Sequence, residues 1–493
     1  MHGRRRRGRR SAVVIALTTA VALAVGAAPA PAAPPTQDVP PNTAPGVCDE
    51  YAGDPAAGTL AWLARDANNV ACDYQRLTDA QANPAYLAKV QEQTAIELTE
   101  FATVTAPEWA AEPNRTHLNC CSSPAPKVAD PFRSPEEWAD AGRGRHLKFS
   151  FINRDGAKLR ARLYAPTDTS RTHPAVTFTP GLQSYNEVNS WFAQGMAEAG
   201  YVVLIIDPQG QGDSENCGHT PAGDVTSCPT TNQPNDTRSA IDFVLSTPSS
   251  PYPWAQGPNA LGTPTFNPFW ESVDPERVGI AGHSLGAIAA TPIGQEDPRV
   301  DAVISYDNLD LTLGADVPRR TPTLFFATDY EFPATGTPKL SAPSPTQHFG
   351  AFNQLTAAGV DAMTITTRAS NHYEWGYQPY PANLPASRYG ERIAFYYSLA
   401  WLDRYLKGDE TAMPRLTASV FEESSDRHSI GTGTYDATKA LADPTNPFAG
   451  NVPYTIAGKC SANVLSFYYA SAFSLDGGQV VSADMRARGC PDG

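Results

Sequence analysis

One pentapeptide sets the frame for this chain. Residues 277–281 read as a buried strand, Gly282-His283-Ser284-Leu285-Gly286 follows, and the small residues at 287–290 open a helix. G-x-S-x-G between a strand and a helix is the pattern of a nucleophile elbow, a strained turn that lifts a serine off the end of a sheet. The glycines are needed because backbones pack closely around such a turn and leave no room for a Cβ. Around the elbow the flanking sequence alternates strands and helices.

From about His146 strands and helices alternate. Residues 147–153 and 158–164 alternate like an antiparallel hairpin, with Asp155-Gly156 in the turn. Short apolar strands are expected at 175–179, 201–206, 302–306, 323–327 and 362–367, and helices at 191–199, 236–245 and 392–405. Buried strands alternating with helices argue for an α/β fold with a mostly parallel central sheet and helices on both faces. The domain expected to carry the chemistry is 146–410. A partly helical N-terminal extension at 47–145, with a helix near 83–104, precedes it. A C-terminal extension at 411–493, with a strand near 464–469, follows it.

The 41% hydrophobic content of the 493 residues can fill a core, and 18% charged residues do not suggest disorder. The net charge is -14, although six arginines crowd the first ten residues. Residues 1–33, with a basic start, an apolar stretch and then small residues, read as a signal peptide, and 34–46 as a Pro/Ala-rich linker. Export would remove those positive charges and leave a still more acidic, secreted chain. Such a surface repels nucleic acid and anionic lipid, so neither is an expected partner. No later run is long and apolar enough for a stable membrane span.

Eight cysteines in an exported chain imply disulfides. Sequence neighbours suggest Cys48–Cys72, Cys217–Cys228 and Cys460–Cys490, with Cys120 and Cys121 adjacent. None has zinc-ligand spacing with a histidine, so no metal or other cofactor is expected.

A serine hydroxyl needs a base, and the base should be a histidine after a late strand. His372 stands there, behind the 362–367 strand; His348 and His428 do not. The acid that orients the imidazole should follow the 323–327 strand, where Asp329 and Glu331 both stand. If neither serves, Glu374 and Asp307 come next. Two backbone N–H groups should hold the oxyanion. Leu285 supplies one and Leu182, in the turn after 175–179, the other, with its side chain lining the acyl pocket. His283 is expected to point away from the site. The aromatic-rich insertion at 249–274 is expected over the sheet edge near Ser284, either as a lid or as a packed Ω-loop.

These pieces together resemble the α/β-hydrolase superfamily over residues 146–406. Within it they resemble the secreted dienelactone-hydrolase and cutinase-like polyester-hydrolase branch. The resemblance rests on Thr179-Pro180-Gly181-Leu182, on GYVVLIID at 200–207, on VDPERVGIAGHSLG at 273–286, on TPTLFFATDYE at 321–331 and on Asn371-His372. It implies Glu331 rather than Asp329 as the acid. The branch often has an aromatic residue where this chain has Leu182. The expected function is hydrolysis of small or polymeric carboxylic esters through an acyl-enzyme. The alternatives are an amidase or peptidase with the same triad, and a non-catalytic cell-wall or binding protein on the same fold.

Overall fold

The computed structural model describes residues 84–107, 133–182, 184–215, 227–257, 260–308, 311–330, 349–372, 375, 390–421 and 471–482, with short pieces at 60, 434–435, 448–449, 456, 458–461 and 465. The expected signal peptide, the linker and Glu331 lie outside the described residues. So do the side chains of every cysteine but Cys460, which is disulfide-bonded.

Ten strands form one sheet. In chain order its first eight are β1 (Arg145–Ile152), β2 (Lys158–Ala165), β3 (His173–Thr179), β4 (Val202–Ile206), β5 (Val273–His283), β6 (Val300–Tyr306), β7 (Thr323–Tyr330) and β8 (Ala362–Asn371). Strands β9 (Thr434–Tyr435) and β10 (Phe448–Ala449) make a separate pair, and β11 (Ala472–Leu475) and β12 (Gln479–Ser482) complete the sheet. The spatial order is β1-β2-β4-β3-β5-β6-β7-β8-β11-β12. Strands β3 to β8 are parallel to their neighbours within this group; β1, β2, β11 and β12 pair antiparallel. This is the α/β-hydrolase fold.

Helices α1 (Pro84–Glu100) and α2 (Pro135–Asp140) precede the sheet. Helices α3 (Ser190–Glu198), α4 (Ser227–Val244), α5 (Leu285–Glu296), α6 (Gly350–Ala357), α7 (Gly390–Leu406) and α8 (Ala412–Thr417) follow in turn. No helix among the described residues is long and apolar enough to cross a membrane.

Alternation along β4 shows why both faces are covered. Val203 and Ile205 join Trp191 and Phe192 of α3 and Trp401 and Leu402 of α7 on one face. Val202, Leu204 and Ile206 point the other way, to Ala240, Phe243 and Val244 of α4. Successive side chains of a strand face opposite ways, so a strand apolar at every position must be buried twice. The β1–β2 hairpin closes at Asp155-Gly156, with Gly156 at φ +85° and the N–H of Gly156 donating to the carbonyl of Asn153 at 3.1 Å.

Two expectations need correction. Residues 472–482, placed by sequence in a docked extension, enter the central sheet itself, because β11 pairs with β8. Of the strand expected at 464–469 only Leu465 is described, in an isolated bridge to Thr367. The insertion at 249–274 does not hang over the elbow. Helix α4 returns the chain to the N-terminal ends of the parallel strands, and the insertion leads directly into the start of β5. Its Tyr252 is buried against Phe151 and Phe243, and the Arg145 guanidinium lies 4.7 Å from the Phe269 ring. Trp254, 40% exposed, donates from Nε1 to Asp242 at 3.2 Å. The insertion is a packed loop on the far edge from Ser284, not a lid.

Candidate active site

Ser284 stands between β5 and α5 with φ 54° and ψ -121°, a conformation costly for any residue with a Cβ. It is held there from several sides. Its N–H donates to the carbonyl of Tyr306 on the neighbouring β6 at 2.9 Å. A Cβ on Gly286 would overlap the carbonyl oxygens of Thr179 and Pro180, and one on Gly282 would overlap the Gly286 backbone. The close approach of β3, β5 and α5 therefore depends on glycine at both positions. Gly286→Ala should destabilise the protein by about 1–3 kcal/mol or more, as overpacking does against backbone that cannot yield. Urea unfolding checks this, and an unchanged midpoint would refute it.

His372 follows β8 directly, and its Nε2 lies 2.8 Å from Ser284 Oγ. The loop beyond it is pinned at Trp375, whose carbonyl accepts from Asn189 Nδ2 at 3.0 Å and from Trp191 Nε1 at 3.2 Å. The Trp375 ring is buried against the stacked pair Tyr306 and Phe326. On its other side the imidazole meets Asp307: Nδ1 is 2.8 Å from Asp307 Oδ2. That carboxylate oxygen also accepts from Thr328 Oγ1 at 3.0 Å. Asp307 is fully buried at φ +43°, and its N–H donates to the Phe326 carbonyl at 2.8 Å. Ser284, His372 and Asp307 thus form a continuous hydrogen-bonded relay.

The acid facing His372 is therefore not one of the two expected after β7. Asp329 lies within that strand, one residue before its end at Tyr330, but its side chain, like all of Glu331, lies outside the described residues. Geometry explains why β6 supplies the partner. β6 is hydrogen-bonded directly to β5, with Tyr306 paired to His283, so the residue after Tyr306 stands beside the elbow. β7 is one strand further away, about 4.8 Å. The signal was present in the sequence as an acid one residue past the apolar strand 302–306.

Leu285 opens α5, where the first N–H groups of a helix have no partner within it. Leu182 lies in the turn after β3, 39% exposed. Helix α4 holds that turn: Gln233 Nε2 donates to the Pro180 carbonyl at 2.6 Å, and the Thr179 and Thr237 hydroxyls are 3.0 Å apart. His283 also departs from expectation. It is buried, and its Nε2 lies 2.8 Å from the His372 carbonyl oxygen. Burial pushes its pKa down to about 3, with the neighbouring His372 ring adding to the effect. Among the described residues no group of histidine, cysteine or acidic side chains could hold a metal ion.

Residues 155–308, which contain Ser284 and Asp307, match the family model described as X-Pro dipeptidyl-peptidase (S15 family). Two curated proteins are similar over part of the chain. A thiohydrolase of Arthrinium phaeospermum is 29% identical over 163 residues, 32% of this chain and 41% of that protein. An uncharacterized protein of Pseudomonas aeruginosa is 29% identical over 170 residues, 34% of this chain and 38% of its own. The chain spans about two fifths of the length of these curated relatives. It has the α/β-hydrolase fold, and over its central third it is similar to the serine hydrolases of the S15 family.

Proposed function

We propose that the protein is a secreted serine hydrolase that cleaves carboxylic esters through an acyl-enzyme. The observation that carries this reading is the relay, with Nε2 and Nδ1 of one buried imidazole each 2.8 Å from a serine oxygen and a carboxylate oxygen. Ser284 Oγ attacks the carbonyl carbon while His372 Nε2 takes its proton. Asp307 holds Nδ1–H, fixes the tautomer and stabilises the imidazolium. The Leu182 and Leu285 N–H groups receive the negative oxygen of the tetrahedral intermediate. Collapse breaks the ester C–O bond, and His372 returns the proton to the departing alkoxide. Water then repeats the sequence on the acyl-enzyme and frees Ser284.

The relay suffices for an ester, whose leaving group departs readily; an amide demands in addition full protonation of a poor leaving nitrogen. The resemblance to dienelactone and polyester hydrolases supports the ester. The thiohydrolase relative makes a thioester the next acyl donor to try. A second reading, an amidase or peptidase using the same relay, is favoured by the S15 match.

A side-by-side screen separates them: p-nitrophenyl esters of increasing acyl length, an acyl thioester and an X-Pro p-nitroanilide. The expected result is an ester kcat/KM at least about tenfold above that of the anilide, a barrier difference of about 1.4 kcal/mol. A preference for the anilide would establish the peptidase reading instead. No turnover of any substrate, and no fluorophosphonate adduct on Ser284, would leave a non-catalytic binding protein on this fold.

A further inference from the structure

His283 is the last residue of β5 and its side chain is buried. Its Nε2 lies 2.8 Å from the main-chain carbonyl oxygen of His372. A carbonyl only accepts, so Nε2 carries the proton and donates it. The two imidazole rings have centroids 4.9 Å apart and are tilted by 37°. On another side the residue borders the turn after β3. A Cβ built on Gly181 would lie 3.3 Å from His283 Nδ1 and 2.9 Å from Ser284 Cβ. One buried ring therefore borders the segments that carry the base, the nucleophile and an oxyanion donor.

We infer that His283 is a positioning residue for the hydrolytic reaction, its Nε2–H fixing the main chain of His372 and so setting the reach of that imidazole to Ser284. The inference rests on the roles proposed above for Ser284 and His372. His283 touches no reacting atom and acts through His372. β8 ends at Asn371, so the chain carrying the base leaves the sheet at the residue that must be most accurately placed. Trp375 anchors it three residues on, through its own carbonyl. His283 anchors it at the base itself. Misplacement of a reacting group by about 1 Å costs about 10²-fold in rate, so a bond to this one carbonyl has leverage on catalysis. The ring is also suited to its neighbour. Burial disfavours its charged form, so the ring sets no positive charge beside the imidazolium that His372 becomes during acyl transfer.

The test measures kcat, KM and thermal midpoint for His283→Phe, His283→Gln and Ser284→Ala on an ester. Phenylalanine keeps the ring bulk and the stacking but has no N–H. Glutamine places an amide N–H near the position of Nε2. His283→Phe is expected to lose about 10- to 100-fold in kcat with KM within about threefold, and His283→Gln to recover most of that loss. If His283→Phe fails to fold, His283→Leu replaces it with the same expectation. Either variant lacking the N–H, folded and with kcat equal to the parent's, would overturn the inference. So would a glutamine variant no better than the phenylalanine one. An active Ser284→Ala would instead overturn the hydrolytic reading itself, a result distinct from either of those.

Discussion

Ser284→Ala should lower kcat/KM by about 10⁴-fold or more while leaving a folded protein. Alanine keeps the Cβ and loses only the hydroxyl that donates to His372 Nε2, 2.8 Å away. The backbone strain at φ 54° therefore stays, and the thermal midpoint should change little. Ser284→Gly should be equally inactive but more stable, because glycine adopts positive φ without a steric cost. His372→Ala should be nearly as damaging, and the double variant little worse than either, since the groups act as a unit. Circular dichroism and urea midpoints establish folding, and burst kinetics with a p-nitrophenyl ester read the chemistry. A folded Ser284→Ala within tenfold of the parent would remove Ser284 from the nucleophile's role.

Much of this arrangement was legible in the sequence, for identifiable reasons. The parallel strands are apolar at consecutive positions, as at 202–206, and that pattern cannot sit on a half-exposed surface. The elbow is a local motif: its glycines, its serine and the strand and helix around it are contiguous. His372 was found because one histidine follows a late strand and precedes the closing helix. What was missed depends on non-local geometry. The acid partner is decided by which strand end lies beside the elbow. Pairing of Tyr306 with His283 settles that, and no run of residues announces it. The insertion at 249–274, rich in aromatics, reads as lying near Ser284, yet it packs at the other edge. The direction of α4 was enough to put it at the other end of the strands. The pairing of β11 with β8 joins residues more than a hundred positions apart, and short strands of that kind carry little periodicity. For His283 the elbow alone points the side chain away, and only the His372 carbonyl that lies against it shows its place.

Asp307→Asn is the second variant expected to have a large effect, and it discriminates sharply among the acids. Asp307 Oδ2 accepts from His372 Nδ1 at 2.8 Å and from Thr328 Oγ1 at 3.0 Å, both in a site closed to water. An asparagine that turned its NH₂ toward Nδ1 would favour the opposite imidazole tautomer. Nε2 would then carry a proton and could not act as base. Where this has been done in a serine-protease triad the loss is about 10⁴-fold in kcat. A similar loss is expected here, with KM little changed. Glu331→Gln and Asp329→Asn should each retain most of the activity, because the Nδ1–H of His372 already donates to Asp307 and one N–H makes one such bond. Glutamine and asparagine preserve shape, so the three variants compare charge and acceptor capacity at three positions. Thr328→Val supplies an internal control: it removes the hydroxyl that steadies Asp307 and should cost far less than Asp307→Asn, since the carboxylate itself remains. Should Glu331→Gln or Asp329→Asn prove the inactive one while Asp307→Asn stays active, the imidazole must take its acid from β7 during turnover. The bond to Asp307 would then belong to a resting arrangement that substrate binding replaces.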